Sequence, residues 1–238
     1  MGALLVSALV LGGLAGAAEP DLPELLKGLA RNDAELEQVM KSTDFTRTEL
    51  QTELDGSGKT LHQASRTIRF THPAQKEQQE LLGAKEDGHD ATGELRPHFN
   101  DAQQSYQAAE KAKKKKDVER WLPLQNPFAA NEQGKYRFLV LGAVDPVSGQ
   151  VKIHFEPRLE ASSALYVGDA FVDATRAALV SLSYVPAKLP IMVQRMATTV
   201  TFQQTPRGPA LKELDSRYDS GVLFAKKHIH AHSTFEGF

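Results

Sequence analysis

The chain has 238 residues, with 28 Lys and Arg against 30 Asp and Glu, a formal charge of −2 and no Cys. The balanced charge argues against a polyanionic partner, and the absence of thiols excludes disulfides, thiolate metal sites and thiol nucleophiles. After removal of a leader the length suits one large β domain or two small ones, held by packing and sheet hydrogen bonds alone.

Ala3 to Leu14 form an apolar run that ends in the small residues Ala15, Gly16, Ala17 and Ala18, followed by Glu19 and Pro20. A spanning helix needs about 20 apolar residues, so residues 1–18 are read as a cleaved secretory signal, although no Lys or Arg precedes the run. The expected location is the periplasm, with residues 19–238 as one domain and no membrane span after cleavage. No Cys stands at the cleavage site for acylation.

Leu22, Leu25, Leu26 and Leu29 recur at helical spacing, as do Leu36, Val39 and Met40. Asn32 with Glu35 three residues on matches a capping box, which predicts two short helices with a break near Arg31. Residues 45–54 then alternate Thr or Leu with charged or amide side chains, Asp55-Gly56-Ser57-Gly58 turns, and Thr60 to Phe70 returns: a β-hairpin. Gly58-Lys59-Thr60 resembles the end of a phosphate-binding loop, but Glu53 stands where that loop needs Gly and no helix is expected to follow.

Residues 73–120 read as a polar, partly helical insertion, with helical spacing only over Phe99 to Arg120. The run Lys113 to Lys116 is flanked by Glu110, Asp117 and Glu119 and lacks interleaved aromatics, so it reads as a solvated helix face rather than a nucleic-acid contact. Beyond Asn126-Pro127-Phe128 the chain becomes almost continuous strand. Tyr136 to Leu141 and Val151 to Phe155 form a hairpin, followed by strands over 164–173, 177–185, 191–204 and 223–235. Consecutive strands with short links imply antiparallel neighbours.

A catalytic reading needs a nucleophile with its base, a paired acid and base, or a metal cluster. No Ser stands in a nucleophile-elbow motif. His228, His230 and His232 alternate along a strand, so they share one face and are the candidate metal ligands. Ile229, Ala231 and Phe235 give the opposite face an apolar role, so the simpler reading makes the histidines the polar face of a half-buried strand. No cofactor is expected, and the chain reads as a non-enzyme.

Helices followed by a long antiparallel sheet predict an α+β fold: a strongly curved sheet, an open or half β-barrel, with the N-terminal helices covering its concave face. Such a layout encloses an apolar space suited to acyl chains, which need a water-excluded surface rather than exact polar partners. The candidate lining is Phe138, Val140, Ile153, Phe155, Val180, Leu182, Met192, Met196 and Ile229, chosen as alternate strand positions. Met192 and Met196 add adaptable side chains.

Tyr136-Arg137-Phe138 with Leu141-Gly142, the strand end Ile153-His154-Phe155-Glu156-Pro157, and Gly168-Asp169-Ala170-Phe171-Val172-Asp173-Ala174 resemble the periplasmic lipoprotein-carrier superfamily of LolA, LolB and RseB. The resemblance implies a half-barrel with a helical lid that binds acyl chains of a lipid or lipoprotein, as carrier or sensor. A structural envelope module with a protein partner is the alternative from the residues themselves, and a metal-dependent hydrolase on the C-terminal histidines the third.

Overall fold

In the computed structural model, residues 20–100, 126–189, 193–222 and 225–238 are described. The predicted signal, the Lys113 to Lys116 run, most of the predicted helix over 99–120, and Met192 lie outside them.

The first element is a single helix, α1 (Leu22–Ser42), with Pro23 in its first turn and Thr43 closing its C-terminal end. Leu25, Leu29, Leu36, Val39 and Met40 make its buried stripe, and each such side chain contributes about 1.5–3 kcal/mol relative to exposure. The expected break near Arg31 is absent. Asn32 and Asp33 are buried and turn toward the body of the protein. The Asn32 side chain accepts from the Leu179 amide at 3.3 Å and Asp33 accepts from Asn126 at 2.6 Å. Tertiary partners have taken the side-chain oxygen that a cap would use.

Among the described residues eleven antiparallel strands follow: β1 (Phe45–Asp55), β2 (Thr60–Thr71), β3 (Gln78–Glu86), β4 (His89–Asp90), β5 (Tyr136–Leu141), β6 (Gln150–Pro157), β7 (Tyr166–Asp173), β8 (Ala178–Pro186), β9 (Val193–Thr205), β10 (Gly208–Val222) and β11 (Ala225–Glu236). They form one open sheet in the order β4-β3-β2-β1-β11-β10-β9-β8-β7-β6-β5. Each strand pairs with its sequence neighbour except at the β1–β11 seam, where the first strand joins the last along ten residue pairs from Thr46–Glu236 to Asp55–Lys227. The fold is α+β with a curved sheet that does not close.

Both predicted hairpins are present. The 73–120 reading missed β3, whose Leu81 and Ala84 are buried, and the helical stretch of that region is already formed over 92–100. The strand reading also omitted β10, the longest strand at 15 residues. Its outer side carries Glu213, Asp215, Arg217 and Asp219, its inner side only Leu214, Ser216 and Tyr218, and a register shift between Leu211 and Glu213 breaks the alternation, so the apolar signal is thin. It is held instead by ladders to β9 and β11 on either side.

α1 packs on β8 and β10. Its Gly28 lies so close to the β7–β8 turn that an added Cβ would stand 2.2 Å from the Ala177 Cβ. Leu29 and Leu36 join Val151, Ile153, Phe155, Val172, Leu179, Leu182, Val200 and Leu211 in one core. At the β1 end, Phe45 stacks on Phe70 with ring centres 4.5 Å apart and meets Phe238 at 5.0 Å. Leu95 and Phe99 of the 92–100 stretch pack against the same core.

Candidate functional site

Strand register places seven of the nine candidate lining residues on one face of the sheet, the face that α1 covers. Phe138 pairs with Phe155 and Val140 with Ile153. Leu182 pairs with Val200, Val200 with Leu214, and Tyr218 stands between Met196 and Ile229. Val180 departs from this pattern because a register shift pairs Phe171 with Ser181 but Val172 with Leu179, so Val180 falls in the irregularity between them.

The seven do not form one lining. Ile153, Phe155 and Leu182 are at most 1% exposed and are filled core. Phe138 meets the Phe128 ring at 5.1 Å, and Phe128 lies edge-on to Phe155 at 5.8 Å. Met196 and Ile229 are half-buried and stand further along the same face.

Cross-strand ranks show how that face changes character. The first rank, Leu182–Val200–Leu214, is apolar. The next is hydroxylic: Tyr184 pairs with Thr198 and Thr198 with Ser216, whose hydroxyls are 3.0 Å apart. Burial pushes the Tyr184 phenol well above its ordinary range, against a hydrogen bond with Thr198. The Tyr166 ring meets Tyr184 edge-on at 5.0 Å, and its own phenol is raised by burial. The third rank is Met196–Tyr218–Ile229–Glu53, with Glu53 paired to Lys227 at 2.6 Å. These tyrosines and hydroxyls were not among the residues singled out from the sequence. Only their shared parity on β8 to β10 could have revealed them, and β10 had not been recognised.

The opposite, outer face holds the three C-terminal histidines. Their register partners on β10 are Asp219 for His228, Arg217 for His230 and Asp215 for His232. His228 Nδ1 lies 2.8 Å from Asp219 Oδ1, and His230 Nε2 lies 2.5 Å from Asp215 Oδ2. His232 Nδ1 is 3.7 Å from that same Asp215 oxygen. The histidines therefore do share a face, but as partners of aspartates. Among the described residues no group of three His, Asp or Glu side chains stands in metal-holding geometry.

A further His–Asp pair lies on the outer face at His154 and Asp169, 2.8 Å apart. Burial opposes ionisation of Asp169, but hydrogen bonds from Lys152 and His154 outweigh it and hold the carboxyl below its usual range. A nucleophile-base-acid relay needs the imidazole between hydroxyl and carboxylate. Here Ser183 is across from Asp169, not His154, and its hydroxyl bonds to Thr199 at 3.0 Å. Among the described residues, no helix is long and apolar enough to cross a membrane.

No protein-family model matches the sequence, and no characterised protein matches it. Among solved structures, a DUF1329 family protein from Desulfovibrio piger aligns over 92% of this chain and 93% of its own, with 8% identity and a TM-score of 0.37. MucB in the MucA/MucB complex of Pseudomonas aeruginosa aligns over 90% and 94%, with 10% identity and a TM-score of 0.27. A second structure, MucB with the MucA(peri) segment, gives 87% and 93%, 9% identity and a TM-score of 0.26. At such scores they carry no argument about function, and the fold rests on the strand order itself.

Proposed function

We propose that the protein is a non-catalytic, exported binding module of the periplasm that holds an acyl chain of a lipid or lipoprotein on the helix-side face of its sheet. The observation that carries this reading is the continuation of that face beyond the packed core into the half-buried rank Met196, Tyr218 and Ile229. An acyl chain laid along this rank extends the existing core and gains roughly 25 cal/mol for each Å² of apolar surface removed from water. The neighbouring hydroxyl rank, Tyr184, Thr198 and Ser216, offers donors to an ester or head group at the chain's polar end. Phe138, Val140, Ile153, Phe155 and Leu182 then form the floor on which the binding rank rests, rather than touching ligand.

Native mass spectrometry of protein purified from an envelope fraction tests the reading. The expected result is a co-purifying acyl lipid that a fluorescent fatty acid displaces. An unliganded mass together with no saturable uptake of the fatty acid would sink it.

A second reading, capture of a protein partner, is favoured by the sheet edge at β5. The opposite edge, β4, is two residues long, whereas β5 presents a six-residue edge without Pro or register shift. Its Leu139 and Leu141 are 59% and 41% exposed. Such an edge can accept an added strand from another chain. The Arg158 amide donates to the Lys135 carbonyl, so alternation along the β5–β6 pairs leaves the Val140 N–H on the free side; Val140→Pro therefore spares the β6 ladder and should abolish cross-linking to an envelope partner. Unchanged cross-linking would count against this reading.

A further inference from the structure

The alternation that frees the Val140 N–H fixes every open backbone group of β5. Arg137, Leu139 and Leu141 bond to β6, while Tyr136, Phe138 and Val140 turn their N–H and C=O groups to the free side. Tyr136 is already satisfied there: its amide donates to the Gln133 carbonyl and its carbonyl accepts from Arg158 Nε at 2.6 Å. The open donors and acceptors that remain within the strand are those of Phe138 and Val140. Among the described residues no strand lies beside them.

We propose that two copies of the chain pair antiparallel through β5 about a twofold axis at Leu139, joining their sheets. The proposal rests on the open β5 edge that the partner reading uses, and names its occupant. In this register Phe138 faces Val140 of the second copy and Val140 faces its Phe138, so each open N–H meets an open carbonyl. The edge is complementary to itself at this register alone. A twofold at Phe138 sets Val140 against Tyr136, whose groups are used, and a twofold at Val140 sets Phe138 against Gly142, which leaves the strand at a φ of +91°.

The side chains agree on both faces. On the outer face Leu139, 59% exposed in one copy, meets Leu139 of the second copy as a non-hydrogen-bonded pair, the closer of the two kinds. Leu141, also exposed, falls opposite Arg137 of the second copy and can pack on its aliphatic stem. Arg137 is the charged residue of β5 and stands beside Glu156 of its own sheet, so the twofold places no like charges opposite each other. On the inner face Phe138 and Val140, which already pack against the core, continue it across the seam. Edges protected from pairing carry a central Lys, a Pro or a bulge, and β5 carries none of these.

The chain has no Cys, so oxidative cross-linking reads the register without background. Leu139→Cys should give a disulfide-linked dimer, because facing non-hydrogen-bonded residues stand about 4.5 Å apart at Cα, within disulfide reach. Leu141→Cys, whose two copies would stand about 14 Å apart, should stay monomeric under the same oxidation. A seam this short is smaller than a standard interface, so sedimentation equilibrium of the unaltered chain should show a dimer with a Kd on the order of 10–100 μM. Leu139→Lys, which sets two ammonium groups face to face, should weaken association at least about tenfold, while Leu50→Lys, at an exposed leucine of β1, should change it less than about threefold. A chain that stays monomeric at about 500 μM, or Leu141→Cys cross-linking as readily as Leu139→Cys, would overturn the pairing. Monomeric protein that still cross-links to an envelope partner sinks the dimer and leaves the partner reading in place.

Discussion

Asn126 donates from Nδ2 to Asp33 Oδ1 at 2.6 Å, joining the middle of α1 to the segment that leads into β5. Asn126 also accepts from the Phe128 amide at 3.1 Å through its own Oδ1, and Phe128 is fully buried. One side chain therefore fixes both the helix and the aromatic plug beneath the sheet edge. Asn126→Ala removes both bonds and should lower the unfolding free energy by about 2–4 kcal/mol, read from urea denaturation. A change below about 0.5 kcal/mol would show that water replaces the amide at no cost.

Phe155 and Gly168 face each other on β6 and β7. A Cβ at Gly168 would lie 2.8 Å from the end of the Phe155 ring and 2.1 Å from the Ser183 carbonyl oxygen. The carbonyl belongs to the β8 backbone and cannot swing aside as a side chain could. Gly168→Ala should therefore destabilise the protein by about 1–3 kcal/mol, with a lower thermal midpoint as the readout. Trimming the ring in the double variant with Phe155→Leu should recover little, because the carbonyl clash remains.

At the tip of the β1–β2 hairpin, His62 Nδ1 and Asp87 Oδ2 are 2.9 Å apart. The hydrogen bond to Asp87 raises the His62 pKa above 6.5. The Gln63 amide, and then His62, lower the Asp87 pKa below 3.8. The histidine's contribution is full below its unfolded pKa near 6.5 and fades as pH rises through the raised value. The aspartate's is present above its unfolded pKa near 3.8 and fades as pH falls through the lowered one. The pair is therefore most favourable between those two unfolded values. NMR titration should give His62 a midpoint above 6.5, and Asp87→Asn should return it toward the ordinary range. A midpoint unmoved by Asp87→Asn would remove the pair as its cause.

Met196 and Ile229 flank Tyr218 on neighbouring strands. Placing an ammonium in this rank makes an acyl chain desolvate a charge, whereas the core beneath is untouched. Met196→Lys should cut fatty-acid binding by at least about tenfold while leaving the thermal midpoint within about 2 °C. Equal binding by Met196→Lys and the unaltered chain would move the ligand away from this rank.

Local chemistry alone made the hairpins legible. Asp55 at the β1–β2 turn accepts from Ser57 and Lys59 through one carboxylate oxygen, and the flanking residues alternate at a period of two. Asp145 organises the β5–β6 turn in the same way, accepting from Val147 and Ser148. Strand parity in the sequence likewise put Phe138, Val140, Ile153 and Phe155 on one shared face, but not which face α1 covers, because Leu139 and Leu141 make the other side of β5 apolar as well and are exposed.

Other features were decided by residues distant in the chain. α1 continues through Asn32 and Asp33 because Leu179 and Asn126 supply partners, where local sequence offered a cap. β10 is held as a strand because β9 and β11 pair with both its edges, a cause that its thin apolar face, Leu214 and Tyr218, does not announce by itself. The meeting of Asp215 with His230 and His232 has the same origin: the spacing of the histidines was written in β11, but their carboxylate partner came from the strand that only the assembled sheet revealed.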